Sequence, residues 1–211
     1  VARKGEDGME PEAILAGYAR IADWFLARRR TAEPLMEREY LQAVLAGLPP
    51  GGTVLDLGCG GGEPIAGFFL RRGYRVVGLD GVTAMLAACR RHFPDMALVA
   101  ADMRALPFRG SFDAVIAWDS FFHLPYQAQR DLFPVFGDLV APGGRLLFTG
   151  GPSHGRADGV MDGLTFAHYS LAPQAYRELL GRFGFAVLLH RVEDPACGGH
   201  TIWLAEKTQN A

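Results

Sequence analysis

The segment VLDLGCGGGEP, residues 54–64, restricts what this chain can fold into more than any other stretch. An apolar run ends at Leu57, glycines follow at 58, 60 and 62, and helical periodicity begins near Glu63 and Pro64. Glycine tolerates positive φ and, lacking a Cβ, lets another group approach the backbone. Proline suits a first helical turn, where its missing N–H is not needed. The segment therefore reads as a buried strand, a tight turn and a helix start. A ligand at the strand's carboxyl end would sit against that helix N-terminus. Asp80 closes the next apolar run, about 20 residues on, where an acid can accept hydrogen bonds from two ribose hydroxyls. The plainer alternative is a tight turn without a ligand, for which a single glycine would suffice.

The rest of the chain extends the alternation. Apolar runs at 53–57, 75–80, 97–102, 112–118 and 145–150 read as buried strands, with amphipathic helical stretches between them. Ile65, Phe68 and Phe69 form one helical stripe, and Leu86, Cys89 and Phe93 another. Leu132, Phe136, Leu139 and Val140 form a third, with Pro134 expected to kink or shorten it. Strands buried on both faces and separated by helices predict an α/β fold with a mostly parallel, doubly wound sheet. Ahead of it, Ile14, Tyr18, Ile21 and Phe25 predict one amphipathic helix over 11–30. A second helix is expected after Pro34. Residues 151–170, rich in Gly, His and Asp, read as an irregular insertion. A helix carrying Tyr176, Leu179, Leu180 and Phe183 follows, and runs at 186–192 and 201–206 predict a terminal antiparallel pair. The expected organisation is a tail at 1–10 and a single domain at 11–206, with a helical cap at 11–48.

Composition narrows the function. The 211 residues are 49% hydrophobic, enough for one core, and the formal net charge is -2. Such a chain has no general attraction for nucleic-acid phosphates or anionic membranes. The one dense basic run, Arg28-Arg29-Arg30, suits a solvated helix end. Cys59, Cys89 and Cys197 are odd in number and widely spaced, which argues against disulfides or a zinc site and for a reducing, cytoplasmic setting. No apolar stretch is long enough to span a bilayer, and the polar opening residues lack a signal core.

The dinucleotide fingerprint G-x-G-x-x-G/A fails here, because Glu63 stands at its last small position. DLGCGGG, residues 56–62, instead resembles the acid-x-G-x-G-x-G first motif of the class I S-adenosylmethionine-dependent methyltransferases. The likeness continues through VVGLDG around Asp80, Ala101-Asp102-Met103, FDAVIAWDSFFHL (112–124), LVAPGGRLLF (139–148) and the closing CGGHTIWLA. It covers roughly residues 11–206 and is nearest to the bacterial small-molecule branch. What it implies is a Rossmann-like, seven-stranded sheet with an antiparallel last strand and an N-terminal helical extension, binding S-adenosyl-L-methionine.

Carried over residue by residue, the resemblance puts Asp56 near the cofactor's amino group and Gly58, Cys59 and Gly60 along its methionine and ribose. Asp80 would hold the ribose, Gly81 and Met85 would flank the adenine, and Asp102 and Met103 would contact that ring. Trp118, Asp119 and Ser120 would lie beside the transferring methyl. Tyr18, Trp24 and Arg28 on the first helix would cover the cofactor. His123, just past the fourth strand, is the candidate general base. His154, His168, Tyr169 and His200 are candidate acceptor contacts. The sequence WDSF stands where amino-group methyltransferases of DNA and protein carry an N-P-P-Y motif, so a small-molecule acceptor is expected, with a monomer or homodimer as the working unit. An oxidoreductase on the same sheet and a non-catalytic S-adenosylmethionine binder remain as alternative readings.

Overall fold

The computed structural model describes residues 11–29 and 35–209. Pro34, Arg30 and the tail at 1–10 fall outside them. Helices α1 (Pro11–Arg20), α2 (Ala22–Arg29) and α3 (Arg38–Leu45) precede the sheet. Then come β1 (Thr53–Leu57), α4 (Ile65–Leu70), β2 (Arg75–Asp80), α5 (Thr83–His92), β3 (Ala97–Ala100) and β4 (Phe112–Ala117). Next are α6 (Tyr126–Leu139), β5 (Val140–Gly150), β6 (Gly155–Met161), β7 (Leu164–Ser170) and α7 (Pro173–Arg182). β8 (Phe185–Asp194) and β9 (His200–Lys207) follow, the last helices and strands among the described residues apart from short 3-10 turns.

Seven strands form one sheet in the order β3-β2-β1-β4-β5-β9-β8. The first five run parallel, and β9 is antiparallel to both β5 and β8. The order reverses between β1 and β4, because β2 and β3 extend to one side and β4 and β5 to the other. That is the switch point at whose carboxyl edge open α/β sheets bind ligands.

Strand parity divides the core in two. Leu55, Leu57, Val115, Ala117, Leu146, Phe148 and Trp203 face one side, with Phe133 and Phe136 of α6 and Tyr176 and Leu180 of α7. Val54, Ala114, Ile116, Trp118, Leu147, Ile202 and Leu204 face the other, with Tyr40, Leu41 and Val44 of α3 and Phe68 and Phe69 of α4. Alternate side chains of each strand thus fill opposite layers, as a sheet covered on both faces requires.

Four local expectations are corrected. The predicted helix over 11–30 breaks at Ile21 into α1 and α2. Of the kink or shortening expected at Pro134, the shortening does not occur: α6 runs 14 residues through it. The third strand stops at Ala100 and the fifth starts at Val140, because Val140 already pairs with Phe112 before an irregularity in the ladder. The stretch 151–170 is not irregular: β6 and β7 form a regular antiparallel hairpin, Gly155 pairing with Ser170 through Met161 with Leu164. Its turn is Asp162-Gly163, with φ of 46° and 74°, the two positive values that a two-residue hairpin turn of this kind needs.

Phe148 is fully buried, stacked parallel to Trp203 at a ring separation of 6.0 Å, and meets Phe121 and Phe133 edge-on. Truncation to alanine leaves a cavity that rigid neighbours on three elements cannot refill. Phe148→Ala should cost ~3–5 kcal/mol in urea unfolding; a loss under about 1 kcal/mol would mean this layer is loosely packed.

Candidate functional site

A cavity of about 750 Å³, its open mouth included, lies at the carboxyl ends of β1, β2 and β4. Its floor is the glycine turn. Gly58, Gly60 and Gly62 have φ of 77°, 52° and 85°. The N–H groups of Gly58 and Cys59 both donate to the Leu79 carbonyl, at 2.8 and 3.0 Å, which ties the turn to β2. A Cβ on Gly58 would collide with the Ser120 side chain, whereas one on Gly60 would meet only Phe25, at 4.0 Å. Gly58 is therefore glycine for close packing, and Gly60 leaves bare backbone facing the cavity.

Asp80 stands at the end of β2. Its Oδ2 accepts from the Gly60 N–H at 2.9 Å and its Oδ1 from the Val82 N–H at 2.8 Å. Burial raises its carboxyl above the usual range, opposed by those two hydrogen bonds. Each oxygen keeps a second lone-pair direction, so the carboxylate can still accept from a ligand.

The roof is α1 and α2. A Cβ on Gly81 would run into Leu15 at 2.7 Å, and one on Gly61 into Leu26 at 2.5 Å. Tyr18, Phe25 and Leu26 pack with Val82 and Met85 of the next loop and α5, while Ile14 and Ile21 pack on Phe166 of the hairpin. Arg104 fastens one end, reaching Asp102 at 2.7 Å and Glu12 of α1 at 2.6 Å.

Among the described residues, Asp80, Asp102 and Asp119 line the cavity and no Lys or Arg does, although Arg104 and Arg29 pair with Asp102 and Asp119 from outside it. Burial pushes Asp102 up, but the hydrogen bonds and charge of Arg104 together outweigh it and hold the carboxyl below its ordinary value; His200 and Arg29 do the same for Asp119. His123 also lines the wall, but burial lowers it to about 4, so it is neutral at pH 7. Its Nδ1 lies 3.1 Å from the Ala167 carbonyl, which only accepts; its Nε2 lies 2.9 Å from the Tyr18 hydroxyl. The proton therefore sits on Nδ1, and Nε2 accepts from Tyr18.

Gly58, Gly60, Asp80, Gly81, Met85, Asp102, Met103, Asp119, Ser120, His123 and Tyr18 all line this cavity. Five expected residues do not. Trp118 shares the parity of Ala114 and Ile116 and packs in the layer of α3 and α4, beside Tyr40. Trp24 lies on the Ile21 side of α2, against the hairpin cluster, and Arg28 stacks on its ring at 3.9 Å, pointing to solvent. The Cys59 side chain turns inward toward Gly78 and Cys89. Asp56 is buried beneath the turn, and its Oδ2 has no partner. Burial, with Asp80 nearby, raises its carboxyl to about 7.

The arginine that does approach the cavity is Arg29, 3.2 Å from Asp119 and 3.0 Å from Glu37. Helical spacing could have found it, since Tyr18, Ala22, Phe25 and Arg29 recur at i, i+4, i+7 and i+11. Leu15, Phe25 and Val82 are further lining residues the sequence did not single out. A second, larger cavity of about 1050 Å³, its open mouth included, lies beside the hairpin and the turn before β9. His154, His168, Tyr169 and His200 all line it, with Phe122 and Arg156.

A family model described as a methyltransferase domain matches residues 54–144. The demethylmenaquinone methyltransferase of Beutenbergia cavernae is 39% identical over 121 residues, 53% of this chain and 47% of that protein. The ubiquinone biosynthesis O-methyltransferase of Nitrosococcus oceani is 31% identical over 105 residues, 47% of this chain and 43% of that protein. The chain thus matches about half the length of these curated relatives. Among solved structures, the Burkholderia thailandensis 1,6-didemethyltoxoflavin-N1-methyltransferase, with 1,6-didemethyltoxoflavin and S-adenosylhomocysteine bound, superposes with a TM-score of 0.73 at 20% identity, covering 99% of this chain and 95% of that one. The magnesium protoporphyrin IX methyltransferase of Synechocystis gives 0.69 at 18% identity, covering 97% and 100%. Residues 54–144 thus match a methyltransferase-domain model, and the chain shares its fold with methyltransferases of known structure.

Asp56 yields a prediction in pH. Its folded carboxyl is raised from 3.8 to about 7, so the folded state binds the proton more tightly than the unfolded state. That contribution to stability is complete below about pH 4 and is lost as pH rises to about 7. Relative to Asp56→Asn, the wild type should lose stability steadily across that window and no further above it. Urea unfolding at several pH values checks this; a difference independent of pH would place the Asp56 carboxyl at its ordinary value.

Proposed function

We propose that the first cavity binds S-adenosyl-L-methionine and that the protein transfers its methyl group to a small molecule. The observation that carries this reading is the cavity's lining: the Asp80 carboxylate anchored beside a bare glycine turn, aromatic faces from Tyr18 and Phe25, and, among the described residues, no Lys or Arg. A sulfonium with an ammonium arm suits such a lining by charge and by cation–π attraction. The pyrophosphate of a nicotinamide dinucleotide does not, which disfavours an oxidoreductase. Asp80 fits the ribose, as its carboxylate is already anchored by two backbone amides. Met85 and Met103 offer apolar surface to the adenine, and Asp102 a hydrogen-bond acceptor. The unpartnered Oδ2 of Asp56 lies below the turn, and the ammonium could be met there through the loop or a water.

When bound, the cofactor supplies an electrophilic methyl. The chain's own task is to hold the acceptor in line with it and keep water out, and alignment alone can account for much of an enzyme's rate. Tyr18 and Phe25 exclude water from above. His123 takes the acceptor's proton, along the Tyr18 hydroxyl. With a value near 4 it is always available but a weak base, so its share of the acceleration is secondary to alignment. The acceptor enters through the second cavity, which meets the first where His168 approaches His123, ring centres 4.9 Å apart, and where His200 bonds Asp119 at 2.8 Å. Phe122 and His168, 4.5 Å apart, offer ring faces to a planar acceptor. No helix among the described residues is long and apolar enough to cross a membrane. The three cysteines are free and buried, which suits a cytoplasmic setting.

Calorimetric titration should show S-adenosylmethionine and S-adenosylhomocysteine binding at micromolar levels and NADH not binding. Asp80→Ala should weaken both adenosyl ligands by roughly a hundredfold, the loss of a hydrogen-bonded charged group. His123→Ala should keep S-adenosylhomocysteine affinity and slow methyl transfer to any acceptor found by a screen for S-adenosylhomocysteine release. A folded protein that binds NADH and neither adenosyl ligand would overturn the reading.

A further inference from the structure

Asp119 follows β4 at a φ of 51°, in the left-handed region that a non-glycine residue adopts only at a cost. Its backbone N–H donates to Thr149 Oγ1 at 2.9 Å. Its carboxylate sits between Arg29 and His200, from opposite ends of the chain. Oδ2 is 3.2 Å from Arg29 of α2, and Oδ1 is 2.8 Å from His200 Nε2 at the start of β9. Arg29 in turn reaches Glu37, which is buried ahead of α3. Glu37, Arg29, Asp119 and His200 thus form a line of alternating charge, and its Asp119 member lines the first cavity while His200 lines the second.

The His200 ring has acceptors on both sides. Nε2 faces the Asp119 carboxylate, and Nδ1 lies 2.5 Å from the Cys197 carbonyl. A neutral imidazole carries one N–H and one lone pair. In either neutral tautomer a lone pair would point at an oxygen. Only the doubly protonated ring satisfies both contacts. The other groups facing it agree: the Asp119 carboxylate raises its proton affinity, while burial and Arg29 oppose this less strongly. Trp118 stacks on the ring at 5.5 Å. Asp194 and Cys197 belong to the turn that carries it, and His123 and His168 lie on the far side of Asp119 with their proton affinities lowered.

We propose that His200 is a positioning residue for the cofactor cavity: as an imidazolium it holds the Asp119 carboxylate against the cavity wall and, through Asp119, anchors Arg29 and the covering helix α2. This rests on the reading that the first cavity binds the adenosyl cofactor. The consequence is directional. Loss of the His200 proton sets a lone pair against an oxygen in either tautomer, so the clamp opens and affinity falls as pH rises. Below that transition the clamp is intact.

The test compares S-adenosylhomocysteine affinity of the wild type and His200→Gln by calorimetry from pH 6 to pH 9. A glutamine amide can donate to Asp119 but carries no charge. The ratio of the two dissociation constants should be roughly tenfold at pH 6, the scale of one charge-assisted hydrogen bond, and fall toward unity as rising pH removes the His200 proton. Asp56 titrates in both proteins and cancels in the ratio. Nitrogen-resolved histidine NMR of the wild type supplies a readout that needs no variant. Both His200 ring nitrogens should carry protons at pH 6, and one should be lost over the range in which affinity falls. A ratio that does not change with pH, or a His200 ring with a single N–H at pH 6, overturns the proposal. A wild type that binds S-adenosylhomocysteine at no pH instead overturns the cofactor reading on which it rests.

Discussion

The two hydrogen bonds that Asp80 accepts, from Gly60 and Val82, are the constraint on which the site depends. They join the turn after β1 to the turn after β2, on the side of the switch point where the sheet order reverses. A carboxylate there is costly to bury, and two charge-assisted hydrogen bonds offset that cost. They also fix where the bare backbone of Gly60 faces. The floor of the cavity is thus set by main-chain geometry before any side chain from the roof is considered.

The roof is attached by other means. Apolar contacts bring α1 and α2 onto Gly61, Gly81 and Met85, and two charged links hold their ends, Arg104 with Glu12 at one and Arg29 with Asp119 at the other. Surface ion pairs of this kind contribute little to stability, and the Arg104–Glu12 pair is of that sort. Arg29 and Asp119 are more enclosed, and through His200 they connect the roof to the final strand.

Much of this was legible in the sequence. The glycine turn, Asp80, and the alternation of apolar runs with helical stripes point to a doubly wound sheet, and the structure has one. The misses have identifiable causes. Trp118 followed strand parity rather than its place beside the site: two residues beyond Ile116, it points to the α3 layer. Arg28 and Arg29 are neighbours in sequence, but only Arg29 lies on the Tyr18–Phe25 face of the helix. The hairpin at 155–170 was hidden by its polar composition, although Asp162-Gly163 is a strong turn signal. The pairing of His200 with Asp119 spans 81 residues and could be read only from the fold.

If the glycine turn, the Asp80 loop and the first two helices enclose one adenosyl ligand, amide hydrogen exchange followed by mass spectrometry, with and without S-adenosylhomocysteine, should show slower exchange in three separate segments, 54–62, 79–85 and 11–29, and little change in the strands of the hairpin. Ligand binding that protects other segments and leaves these three unaltered would contradict that enclosure.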